Sequence, residues 1–517
     1  MWMAQQTFNV ESAHEGTHIE RAPPRNIDGS LNFDWVDEND TRNPFNWSRA
    51  RKWRITVAVL LVSVLFGLPA GAYGAGNYEM SRVFGIPNEK FPYLYLATTS
   101  WNVGAALVPL VFVPLTESSG RRPGYFGAYI VFLLFLIPCA LAQNFGTMIL
   151  CRFFGGGASS VAINIVGGTI SDIWKGAEQR SFPLSLFGTT SVVGIALGPF
   201  FGGLVTEHLS FRWIYWILLL INGAYLPICW FVLVETRGDI ILAQKAKEWR
   251  RANPHEDPKY ASTEIGISSL QSRLRISCER PIKMLCTEWV VFSQTVWVSF
   301  AWGLLFLFQS SIPQTFGKNY GMGQFETSLI QLAISVGAIV ATIINPIQDR
   351  SYLRSAARSR DGQPIPESRL YSSVPGSLLF TAGIICYGWA SYPNIFWFAP
   401  LFGVGLVGLG IYSIYLAVVN YLSDSYEKYA ASALSAASLG RNAFGAFLPL
   451  ASPAIYARLG TQWGSSMLGF IALILTLAPV IMILFGENIR KHSPFMKEAT
   501  FGAEDDKAGE NGSARLE

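Results

Sequence analysis

Between Arg54 and Gly486 the chain alternates long apolar runs with polar breaks, and each run is about as long as a bilayer is thick. A helix needs about 20 residues to cross the hydrocarbon. On that length the pattern predicts twelve transmembrane helices, over 54–76, 91–113, 124–142, 147–171, 182–206 and 212–234, then 288–311, 325–347, 372–391, 395–419, 430–456 and 464–486. Two long polar segments, 235–287 and 348–371, interrupt the series, and the first separates six spans from six. The expected organisation is a tail over 1–53, a bundle over 54–234, a linker over 235–287, a second bundle over 288–486 and a tail over 487–517. This is an all-α membrane protein whose two pseudo-symmetric six-helix bundles are expected to rock around a midplane site.

Composition agrees with lipid as the main solvent. Half of the 517 residues are hydrophobic and 14% are charged, against about 25% charged in soluble domains, and the mean hydropathy is +0.30. Sixteen Trp suit a chain with two membrane interfaces, where indole rings settle. A net charge of +4 without a basic, aromatic-interleaved stripe gives no reason to expect a nucleic-acid partner. The six Cys and five His form no ligand-spaced cluster, so no metal, disulfide framework or cofactor is expected. The polar first 50 residues do not read as a cleavable signal, which leaves insertion to the first span. No nucleophile elbow, P-loop or zinc-binding helix is present, so an enzyme is not expected and an ion gradient, rather than ATP, is the expected driving force.

Charge sets the orientation. With the N-terminus inside, the connections on that side carry twenty Lys and Arg and those on the other side five. The positive-inside rule therefore predicts that both termini and the linker are cytoplasmic. Ile241–Arg251 reads as an amphipathic helix lying along the inner surface. The Asn46-Trp47-Ser48 sequon then lies where no glycan is added.

Three local sequences carry mechanism. The loop after span two reads Pro114-Leu115-Thr116-Glu117-Ser118-Ser119-Gly120-Arg121-Arg122, a carboxylate at a helix end beside two guanidiniums, which can form a charge-assisted latch between neighbouring helices. Span four holds Arg152 followed by Gly155, Gly156 and Gly157. A charged side chain inside a bilayer costs several kcal/mol unless it snorkels to an interface, so Arg152 is a functional candidate. Span five concentrates Gly188, Gly194, Gly198, Pro199, Gly202 and Gly203, letting backbones approach and removing a helical hydrogen bond at the Gly198–Pro199 step.

Together these segments resemble the major facilitator superfamily, and among its members the fungal 12-span drug:proton antiporters. Asn43, Pro44, Asn46, Trp47 and Ser48 before span one are similar to that family's pattern, as are Asn420, Tyr421, Leu422, Asp424, Tyr426 and the Ala430–Ala433 stretch around span eleven. The resemblance implies the major facilitator fold, a gating role for Glu117, Gly120, Arg121 and Arg122, proton coupling through Arg152, and an antiporter helix in span five. The chain departs from the pattern at Val113, where a glycine is usual, and in span seven, where Trp302, Gly303 and Phe306 stand in place of a two-tyrosine motif.

Sorting charges by depth narrows the cargo. Apart from Arg152 and Arg441 the spans are nearly free of charge, and the carboxylates Glu79, Glu117, Asp172, Glu207, Glu288, Glu326 and Asp424 sit at span ends. Polycations would be expected to need midplane acids, so neutral or weakly acidic amphipathic molecules are expected instead. The candidate substrate groups are Asn102, Trp297, Trp302, Gln331, Tyr412, Tyr415, Arg441 and Asn442, with Tyr73, Asn77, Trp101, Asn164 and Gln309 as further lining candidates. The expected function is proton-coupled export of drugs, toxins or secondary metabolites by a monomer in the plasma membrane or the vacuolar membrane, with small molecules, protons and lipid as partners. A specific organic-anion or nutrient carrier is the alternative, and a transport-dead receptor or scaffold a third reading.

Overall fold

The computed structural model describes residues 31–35, 37, 40–86, 93–261, 264, 270–355, 365–426 and 429–496. Span one begins at a capped start, where the Asn43 side chain accepts from Phe45 N at 3.1 Å and Ser48 Oγ accepts from Arg51 N at 3.4 Å. The sequon residues therefore serve helix initiation, because a short polar oxygen satisfies amides that the first turn leaves unpaired. The spans that follow are Arg49–Ala72, Leu96–Ser119, Arg121–Ala140, Phe145–Ile173, Gly176–His208 and Arg212–Val232. The second half comprises Trp289–Tyr320, Gln324–Ser355, Ser373–Ala390, Phe398–Tyr426 and the 46-residue Ala430–Leu475, followed by Leu477–His492.

Among the described residues eleven stretches are long and apolar enough to cross a membrane, the last being Ala430–Arg490 with 61 residues. That stretch breaks at Gly460, whose φ of 71° and ψ of 171° interrupt the helix and divide it into the eleventh and twelfth spans. Several helices outrun the expected limits: the seventh extends to Tyr320 and the eighth to Ser355, because polar residues at their ends continue the helix beyond the hydrocarbon. Conversely, span one ends at Ala72 rather than 76 and passes through a tight 3₁₀ turn into a short helix, Asn77–Phe84.

Internal repetition is visible in the packing. Span one packs on five, two on four and three on four; seven packs on eleven, eight on ten and nine on ten, the same scheme displaced by six. The two bundles meet through five against eight and two against eleven, which that displacement also exchanges. The helix Leu270–Thr287, which precedes span seven, packs on spans two and eleven.

A second, smaller unit is built from the N-terminal tail and the linker. Leu31–Asn32 pairs in parallel with Lys259–Tyr260. The helix Gly238–Ala252 buries Leu242 and Ala246 with Ala261 against Phe33 and Trp35. Part of its apolar side is thus covered by the tail. Arg250 pairs with both carboxylate oxygens of Glu264 at 2.8 and 2.9 Å, and its guanidinium holds that carboxyl below its ordinary value.

Candidate functional site

Span five is fixed by close backbone approach. A Cβ on Gly198 would lie 2.6 Å from Ala72 N, Gly71 Cα and Leu68 O, one on Gly194 3.0 Å from Val64, and one on Gly202 2.5 Å from Ala72 O. Gly67 and Gly71 of span one supply the other half of this seam. The helix runs unbroken through Pro199, whose ring packs over Gly71. Gly203 instead faces Ser328 of the second bundle, and Gly188 faces Tyr412 and Leu416 in ordinary contact.

Arg152 is 1% exposed and reaches no carboxylate among the described residues. Its Nε donates to Ala97 O at 2.9 Å and Nη1 to Pro69 O at 3.1 Å, joining span four to spans two and one. The guanidinium lies 4.3 Å from the centroid of Tyr73 and 4.9 Å from that of Trp101. It is a buried tie between three spans, and its remaining nitrogen, Nη2, has no hydrogen-bond partner among the described residues.

The loop after span two closes on itself through acids from elsewhere. Gly120, at a φ of 104°, makes the junction between spans two and three. The Glu235 carboxylate receives the Arg121 and Arg122 amides at 3.0 and 3.1 Å, capping span three with negative charge where the helix dipole favours it. Arg121 Nε donates to Asp172 at 3.0 Å, while Arg122 lies over Trp230 and donates to its carbonyl at 3.3 Å. Glu117, the acid expected here, has a side chain outside the described residues. The second bundle repeats the arrangement: Arg369 pairs with Asp424 at 2.9 Å and Asp349 at 3.3 Å, and Arg490 with Glu367 at 2.7 Å.

Between the bundles lies a cavity of about 1890 Å³. Its inner part is lined by Trp101, Asn102, Trp302, Tyr415, Arg441 and Asn442, and its lining continues to Arg121, Arg180, Arg369 and Arg490 at the end of the bundles that carries both ion-pair clusters. Toward the opposite end the bundles touch: Thr99 Oγ1 donates to Ala446 O at 2.7 Å, Asn102 Nδ2 to Gly445 O at 3.3 Å, and Phe200 meets Phe325 at 6.4 Å between ring centroids. Along spans five and eight Thr189 and Thr342 share a hydrogen bond of 2.6 Å.

Of the expected substrate groups, Asn102, Trp302, Tyr415, Arg441 and Asn442 come together in this cavity. Trp297, Gln331 and Tyr412 do not line it. Trp297 donates to Ser377 at 3.3 Å inside the second bundle, Gln331 is buried in span eight, and Tyr412 donates to Ser185 O at 3.3 Å in the seam between bundles. Phe66, Phe187 and Arg180 line the cavity without having been singled out by sequence.

The comparisons with known proteins agree with this architecture. A family model described as Major Facilitator Superfamily matches residues 59–447. The chain belongs to the major facilitator superfamily. It is 33% identical over 458 residues to the MFS transporter paaT of Penicillium rubens, across 88% of this chain and 82% of that one. It is 30% identical over 485 residues to the efflux pump atB of Aspergillus terreus, across 93% and 92%. The solved structure of the proton:xylose symporter XylE superposes with a TM-score of 0.61 at 14% identity, over 85% of this chain and 96% of that one, a likeness of fold. As a member of this superfamily the chain is a multi-pass membrane transporter of small molecules, not an enzyme.

Proposed function

We propose that the chain exports small neutral or weakly acidic amphipathic molecules, such as drugs, toxins or secondary metabolites, by proton-coupled alternating access. The observation that carries this reading is the cavity: it is walled by aromatic rings and amides, sealed toward one end by contacts such as Thr99–Ala446, and continuous with the charged helix ends at the other. Its inner wall, where the rings of Trp101, Trp302 and Tyr415 stand beside the amides of Asn102 and Asn442, suits amphipathic cargo. Export is favoured by the relatives named as efflux pumps. Orientation follows the basic residues, with both termini and the linker in the cytoplasm of a plasma-membrane protein, so that the cavity faces the cytoplasm. Arg152, tying three spans together at depth, is the group whose environment changes with protonation during the cycle.

A carrier for one organic anion is the second reading, favoured by Arg441 in the cavity wall. Expression in a drug-sensitive yeast, with growth scored on compound panels with and without a protonophore, tests the proposal. Protection against neutral or weakly acidic amphipaths that the protonophore abolishes is the expected result. Selective protection against spermine overturns the charge class, and accumulation of a single organic acid outside the cell without drug protection favours the second reading. Labelling of a cysteine at position 260 from outside intact cells overturns the orientation.

A further inference from the structure

Arg441 sits in span eleven, eleven residues beyond Ala430, or about 16 Å along a helix that rises 1.5 Å per residue. That depth is about half of a hydrocarbon core roughly 30 Å thick. Its guanidinium lies 4.8 Å from the centroid of Trp302 and 4.7 Å from that of Tyr415, two rings themselves 5.4 Å apart. Among the described residues no carboxylate lies within ion-pair distance of it. Cation–π contacts are worth about 0.5–2 kcal/mol each, whereas a charge at the bilayer centre costs about 2.5 kcal/mol or more. Two rings thus hold the guanidinium in place without supplying the opposite charge.

The lining carries more positive than negative groups. Five arginines, Arg121, Arg180, Arg369, Arg441 and Arg490, face three acids, Glu367, Asp424 and Glu487. Arg121, Arg369 and Arg490 are engaged by Asp172, Asp424 and Glu367. Arg180, near the start of span five, has no such partner among the described residues. One unpaired cation therefore stands where the cavity approaches the helix ends and another at its depth, with Phe66, Trp101, Phe187 and Phe306 on the walls around them. Like-signed charge in a cleft concentrates counter-ions and speeds their capture.

We infer that the cavity takes its cargo as an anion, a planar aromatic acid whose carboxylate or phenolate pairs with Arg441 after capture past Arg180. This rests on the proposal that the cavity is the transport site, and narrows its substrate class from neutral or weakly acidic molecules to those carrying an acid. A guanidinium held by two rings still presents parallel N–H donors, the geometry that a carboxylate accepts in bidentate fashion.

The test uses the full-length protein in detergent and three probes of one shape: 2-naphthoate, 2-naphthamide and 2-naphthylmethylammonium, with binding measured by calorimetry. The wild type is expected to bind naphthoate at least about tenfold more tightly than the amide, a charge-assisted pair being worth about 1.4 kcal/mol or more, and the ammonium weakest. Arg441→Gln brings naphthoate and amide to within about twofold of one another, Arg441→Lys retains a reduced preference, and Arg180→Gln slows association of naphthoate and weakens its salt dependence. Melting temperatures of each variant separate loss of preference from loss of fold, and the Lys variant carries the comparison where Gln does not fold. Equal binding of naphthoate and amide by the wild type, an unchanged preference in Arg441→Gln, or no binding of any probe overturns the inference. Charge preference in binding with no export in yeast overturns the exporter reading alone, and export of neutral compounds without charge preference overturns this inference alone.

Discussion

Gly198 of span five and Gly71 of span one lie so close that a Cβ on Gly198 would stand 2.6 Å from the Gly71 Cα. No side chain fits there, and the two backbones form a seam that Gly67, Gly194 and Gly202 continue. Overpacking of a tight contact costs about 1–3 kcal/mol. Gly198→Leu is expected to abolish export with the protein still in the membrane, and Gly198→Ala to lower export and melting temperature together. Gly223→Ala, where no atom lies within 4 Å of the new Cβ, is the silent control. Export rate against surface abundance is the measurement, and wild-type export by Gly198→Leu removes the role given to the seam.

Arg152 holds two carbonyls and two rings at once. Arg152→Ala removes the ties from span four to the Ala97 and Pro69 carbonyls, and Arg152→Lys offers an ammonium that cannot reproduce the planar fork. Substrate-induced proton flux in vesicles is expected to vanish in the Ala variant and to return in part with Lys. Full coupling with Ala makes Arg152 a packing residue only.

The Arg121–Asp172 pair is mostly buried, with side chains 11% and 20% exposed, so its partners depend on one another. Arg121→Asp and Asp172→Arg are each expected to impair export, and the exchanged double variant to recover part of it. The coupling expected from a double-mutant cycle is about 0.5–3 kcal/mol. Additive losses in export across that cycle show that the two side chains act separately.

The tail and linker unit has a pH dependence of its own. Because Arg250 holds the Glu264 carboxyl below its ordinary value of 4.5, the ionised pair stabilises the unit above that value and ceases to do so as pH falls through the lower, folded one. Hydrogen exchange of the amides of Phe33 and Ala261 in the full chain should quicken below pH 4.5 beyond the intrinsic trend. In Glu264→Gln that step is absent and exchange is faster at neutral pH.

The twelve spans and their two halves are legible in the sequence because a water-soluble fold seldom needs apolar runs of bilayer length, least of all twelve in series. Span five is legible as a packing helix, but its counterpart is not: Gly67 and Gly71 look like ordinary small residues of a transmembrane helix until span one is laid against them. Asp172 and Glu235 engage Arg121 from 51 and 114 residues away, a distance that no local motif spans. Trp297, Gln331 and Tyr412 show the other limit. In a helix buried on every side, polar and aromatic residues toward the cavity and toward a neighbouring span look alike, so only packing separates Trp302 from Trp297.

The pairing of Leu31–Asn32 with Lys259–Tyr260 has a consequence for how the chain is made. The first strand leaves the ribosome about 230 residues before its partner, and at roughly 5–20 residues per second it waits on the order of ten seconds or longer. During that interval the whole first bundle is synthesised. The tail can find its strand only afterwards, so closure of this small unit records that the first half of the transporter has been translated in full.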